Sequence, residues 1–105
     1  MTVLSVTALT VKPDRYEDFL ATTQRSKSIL EWCGAKNIRL IVAMSAGEAS
    51  GSFALTHEAD DFAASGAIMD KFFTHPEGLE IMMESNSTSG PIATWQASTW
   101  VEIDL

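Results

Sequence analysis

Residues 36–58 read KNIRLIVAMSAGEASGSFALTHE, and this stretch decides the fold. Two runs rich in Ile, Leu, Val and Phe flank SAGEASG, where Gly47 and Gly51 can take positive φ, so the segment predicts two antiparallel strands (36–44 and 52–58) joined as a hairpin. Side chains alternate across a strand, which puts Ile38, Leu40, Val42 and Met44 on one face and Asn37, Arg39, Ile41 and Ala43 on the other. A turn centred on Gly47-Glu48 adds Phe53, Leu55 and His57 to the first face, and Ala54, Thr56 and Glu58 to the second. In that register Arg39 shares a face with Thr56 and Glu58.

Working outward, the segments on either side of the hairpin mirror each other. Before it, residues 2–11 (TVLSVTALTV) read as a strand stopped at Lys12-Pro13. Pro13 suits a first helical turn, and Asp14, Glu17 and Asp18 complement the positive dipole end there. Tyr16, Phe19, Leu20, Thr23, Leu30 and Cys33 form the apolar stripe of a helix over about 14–33, with Gly34 as its C-terminal cap. After the hairpin, Asp60 or Asp61 caps a second helix running to Phe73, with a stripe of Phe62, Gly66, Met69 and Phe72 or Phe73. Close packing of this helix on a sheet would explain Gly66, which otherwise costs about 1 kcal/mol against Ala. His75-Pro76 breaks the helix, and Pro76 opens a short amphipathic one containing Leu79, Ile81, Met82 and Met83. SNSTSG (85–90) reads as a polar turn before a last strand, PIATWQASTWVEI, which sets Trp95 and Trp100 on opposite faces.

The order is therefore βαββαβ, with an extra short helix before the last strand. Right-handed crossovers turn it into a four-stranded antiparallel sheet in the order 4-1-3-2 with helices on one side, an α+β, ferredoxin-like fold in one domain spanning residues 1–105. The uncovered side still carries Ile41, Ala43, Ala54 and one of the two tryptophans. A patch of that kind marks an interface, most simply with a second copy of the chain.

Composition narrows the partners. A formal charge of −7 disfavours nucleic acid and anionic membrane. Cys33 is alone, so no internal disulfide forms and a reducing, cytoplasmic compartment is expected. The first residues lack a basic region and a cleavage site, and no apolar run approaches about 18 residues.

The opening strand into KPDRYEDFL, the AGEASG hairpin, DDFAASGAIMDKFFTHPEGLEIM and the closing TWQASTWVEI resemble the dimeric α/β-barrel superfamily of ferredoxin-like domains. That group holds NIPSNAP-like proteins and small antibiotic-biosynthesis-monooxygenase-like enzymes that need no cofactor. The resemblance covers nearly the whole chain. It implies a barrel closed across a dimer axis, and a small-molecule cavity between the sheet and the helices of each subunit. Haem-degrading members use an Asn on the first strand, and residues 2–11 contain none.

Two histidines are the candidate proton-transfer groups. His57 shares the face of Phe53 and Leu55, the side the helices cover, while His75 sits in the bend between two helices. As structure, the first bonds to loop backbone at a strand end and the second sits beside a helix cap. Phe53, Phe72 and Trp95 are candidate ligand contacts, as are Trp32, Trp100 and Phe73, with core or interface packing as the alternative for each. Arg39 and Glu58 can hold an anionic group or form an ion pair with each other. No metal-ligand spacing, P-loop, dinucleotide fingerprint or G-x-S-x-G is present. The expected function is a homodimer binding a small apolar or aromatic compound, as a cofactor-independent monooxygenase or isomerase. The alternative is a non-catalytic interaction or sensing domain whose interior is filled by its own side chains. A helix–sheet cavity lined by a histidine favours the first reading, and a solid core the second.

Overall fold

The computed structural model describes residues 1–45, 47, 51–85 and 93–105. The strands are β1 (Val3–Val11), β2 (Lys36–Val42), β3 (Phe53–Ala59) and β4 (Ala93–Val101), and the helices are α1 (Tyr16–Trp32), α2 (Phe62–Thr74) and α3 (Pro76–Ser85). A single 3₁₀ turn, Pro13–Arg15, leads into α1. The sheet runs β2-β3-β1-β4 with every neighbour antiparallel, which is the predicted order.

The ladder between β2 and β3 pairs Arg39 with Thr56, Ile41 with Ala54 and Val42 with Phe53. These pairs share the symmetry point between residues 47 and 48, so the face assignment read from alternation holds. The ladder shifts between Lys36 and Arg39, where Asn37 adopts φ +49°. β2 also ends at Val42 and not Met44. Most of the connecting turn and residues 86–90 of the SNSTSG turn lie outside the described residues.

Helix α1 begins with an Arg15–Asp18 ion pair of 2.7 Å and buries Phe19, Ser26, Ile29 and Leu30. It ends in a Schellman motif. Gly34, at φ +95°, donates its N–H to the Glu31 carbonyl (3.1 Å), and Ala35 donates to Leu30 (3.0 Å). Asp61 caps α2 by accepting from the Ala64 N–H at 2.7 Å, while Asp60 pairs with Lys36 at 2.8 Å.

The buried stripe of α2 is Ser65, Ile68 and Phe72: of the two predicted alternatives Phe72 is the buried one, Met69 packs partly buried beside the stripe, and Ser65 takes the place expected of Gly66. Phe62 is exposed, and Gly66 faces open space with no neighbour near its missing Cβ. The close backbone approach occurs instead at Gly78 in α3, where a Cβ would collide with the Phe72 carbonyl oxygen. The helix pair therefore folds back on itself tightly, and α2 does not need a glycine to reach the sheet. The core gathers Ile29, Leu30, Cys33, Ala59, Ile68, Phe72 and Ile81, on the side of the molecule nearer β2 and β3. No helix among the described residues is long and apolar enough to cross a membrane.

Candidate functional site

The pairings of β1 with β3 and β4 give each sheet face its residues. Rows Phe53–Leu9–Trp95, Leu55–Thr7–Ala97 and His57–Ser5–Thr99 face the helices. Rows Ala54–Ala8–Gln96, Thr56–Val6–Ser98 and Glu58–Leu4–Trp100 face away. Trp95 is thus on the covered side and Trp100 on the open one, a choice that alternation alone left undecided.

Towards β4 the packed core leaves a cavity of about 210 Å³ over β3, β1 and β4. Its floor is Thr7, Leu9, Leu55, His57, Trp95 and Ala97. Phe19, Thr22, Thr23 and Ser26 of α1 form one wall. Met69, Phe72 and Phe73 of α2 with Ile81, Met82 and Glu84 of α3 form the other. Helical spacing explains the α1 wall, because 19, 22, 23, 26 and 30 fall on one side of a helix. Where a solid core would place Leu or Ile, this helix carries two threonines and a serine. The Ser26 hydroxyl is satisfied within the helix, donating to the Thr22 carbonyl at 3.0 Å. That run of small hydroxyls, together with Thr7, is the mark that the cavity leaves in the sequence.

His57 is 6% exposed, lines the cavity, and its Nε2 has no hydrogen-bond partner. The strand-end bond to loop backbone expected as its structural role is not made at that nitrogen. Burial strips water from the imidazole and pushes its pKa below 6.5, so the ring is neutral at pH 7 and can accept a proton. Because the folded pKa is lowered, the unfolded chain binds more protons between the two values. The contribution of His57 to stability is complete above pH 6.5 and is lost as the pH falls towards the folded pKa. Urea midpoints measured at about pH 7.5 and pH 5 are expected to fall further for the parent than for His57→Gln. Equal losses in the two proteins would contradict a desolvated, neutral imidazole.

The other sequence candidates separate. Phe72 and Trp95 line the cavity with His57, and Trp95 is 37% exposed there. Phe53 instead packs between Phe19 and Tyr16, with ring centroids 5.1 and 5.8 Å away. His75 is an N-cap of α3: its Nδ1 accepts the Glu77 N–H at 3.1 Å, and its ring meets Trp32 edge-on at 5.2 Å. It is not among the described residues that line the cavity. Trp32 is likewise on the surface. Arg39 and Glu58 lie on the open sheet face, separated from the cavity by the sheet itself, and none of the ion pairs among the described residues joins them. The expected Arg39–Glu58 pair is not made: Arg39 stands opposite Thr56, and Glu58 stands opposite Lys36.

Cys33 offers no nucleophile, since burial pushes its thiol upward, only partly opposed by Lys71. Among the described residues, no group of three His, Cys, Asp or Glu side chains could hold a metal ion.

No protein-family model matches the chain, and no curated protein is similar to it in sequence. Solved structures do share its fold. A mutant of SnoaB, a cofactor-independent oxygenase from Streptomyces nogalater, superposes with a TM-score of 0.71 at 14% identity, covering 99% of this chain and 95% of that one. A NIPSNAP-like domain protein from Burkholderia xenovorans gives 0.71 at 10% identity, covering 97% and 85%. A dimeric ferredoxin-like protein from an uncultured marine organism gives 0.59 at 15% identity, covering 99% and 97%. At these identities the likeness is one of fold, and the chain has the ferredoxin-like fold.

Proposed function

We propose that two copies of this chain close on each other through their open sheet faces. In this reading the cavity of each copy binds a small apolar or aromatic molecule, on which the protein acts as a cofactor-independent monooxygenase or isomerase in the cytoplasm. The observation that carries this reading is the apolar helix–sheet cavity with a buried, unpartnered imidazole in its floor. Side chains of the described residues do not fill that space, which favours a ligand-binding function over a purely structural domain. The description of SnoaB as a cofactor-independent oxygenase supports the chemistry, and that of the marine protein as dimeric supports the assembly.

The two reactions share a first step. Neutral His57 takes a proton from an activated C–H or O–H of the bound molecule and leaves a delocalised anion. Returning the proton at another carbon isomerises the molecule. Alternatively the anion reduces O₂, forming a C–O bond to a hydroperoxide; loss of water then leaves a carbonyl, so that CH₂ and O₂ become C=O and H₂O. Phe72, Met69 and Trp95 present apolar surface to the anion and to O₂.

Native mass spectrometry of protein from its own host is expected to show one retained small molecule per chain. Ala97→Phe, which fills the cavity floor, should leave the circular dichroism unchanged and abolish that mass. Bare protein across several growth conditions would refute the reading.

A further inference from the structure

The size, charge and polarity of the cavity narrow its ligand further, granted the reading above that it is a binding site. An apolar cavity of about 150 Å³ holds benzene. At about 210 Å³, this one has room to seat a substituted ring or two fused rings.

Charge is the second restriction. Among the described residues that line the cavity there is no Lys or Arg, and the one charged side chain is Glu84. A carboxylate or phosphate entering here would give up its hydration without a cation to replace it, against the field of a chain of net charge −7.

The third restriction is the polar group in the floor. A buried nitrogen without a partner costs about 1–3 kcal/mol, so a ligand that meets the imidazole gains by relieving it. Neutral imidazole presents one N–H and one bare nitrogen. A hydroxyl both donates and accepts, so it meets the ring in either tautomer, whereas a carbonyl meets only the N–H. We propose that the cavity selects a neutral one- or two-ring molecule bearing a hydroxyl group, seated with that hydroxyl on a ring nitrogen of His57.

Three matched probes test this by calorimetry: 2-naphthol, 2-methylnaphthalene and naphthalene-2-carboxylate. The hydroxyl compound is expected to bind once per chain and about three- to tenfold tighter than the methyl compound, the range of one net hydrogen bond. The carboxylate is expected to bind least. His57→Leu should bind 2-naphthol and 2-methylnaphthalene equally. In the unaltered protein, the His57 ring ¹⁵N resonances should move with 2-naphthol and stay still with 2-methylnaphthalene, a readout that does not depend on a variant folding.

Equal binding of the hydroxyl and methyl compounds with unmoved ¹⁵N resonances would overturn this ligand class and leave the cavity reading intact. Preferred binding of the carboxylate would do the same. Binding of none of the three would remove both.

Discussion

Placing glutamate at both Ile41 and Trp100 is expected to yield a folded 11.4 kDa species in analytical ultracentrifugation, where the parent, if it dimerises as proposed, is expected at twice that mass. The two side chains are 53% and 60% exposed on the open sheet face, at its opposite edges. Between them run Leu4, Val6, Ala8 and Ala54, an apolar centre that no helix of this chain covers. Trp100 is already held in place for such a role, its Nε1 donating to the Ser98 hydroxyl at 2.8 Å. In the proposed symmetric dimer each substitution appears twice, so four carboxylates would enter the interface, and each one left there without a cation costs several kcal/mol. In the monomer the same groups sit in water and cost little, so the fold survives. A parent that sediments at 11.4 kDa at low micromolar concentration, still folded, would remove the dimer from the proposal.

Gly78→Ala should be the most damaging single methyl group in the chain. The added Cβ would fall inside the contact distance of the Phe72 carbonyl, and a backbone oxygen cannot swing aside as a side chain can. That carbonyl also accepts the His75 N–H at 3.3 Å, so the whole α2–α3 elbow must move. Overpacking of this kind costs about 1–3 kcal/mol or more, equivalent to a fall in Tm of roughly 10 °C or more for a domain of this size. The elbow carries Phe72, Phe73, Ile81 and Met82 into the cavity wall, so ligand binding should weaken with it. Gly66→Ala is the matched control. It meets open space on an exposed helix surface and should gain up to about 1 kcal/mol. If the two variants melt within about 2 °C of each other, the close approach at Gly78 is not a constraint.

These two glycines show where reading the chain succeeds and where it stops. A glycine inside a helical pattern signals some backbone need, but pattern alone does not say what approaches it. Gly66 stands in the longer helix and drew the packing argument, yet the close approach belongs to Gly78, because the bend at His75-Pro76 returns α3 onto the end of α2. Gly34 was legible for the opposite reason. The cap that needs positive φ is local, set by the helix that ends just before it.

Local rules acted over short distances determined most of the fold. The period-two alternation of residues 36–44 and 53–58 specified which side chains share a face, and the ladder obeys it. The same rule placed His57 with the covered face before any contact was known. Strand order followed from the handedness of the two crossovers. What the chain could not reveal by itself is how far the helices reach across the sheet, since that depends on the summed volumes of side chains distant in sequence. Tertiary packing concentrated the core near β2 and β3, left about 210 Å³ open over β3, β1 and β4, and turned Trp95 into that space and Trp100 away from it. It also separated the two histidines, leaving His57 buried without a partner and setting His75 as a helix cap. Alternation determines a side chain's face, whereas only the packed helices determine whether that face meets protein or empty volume.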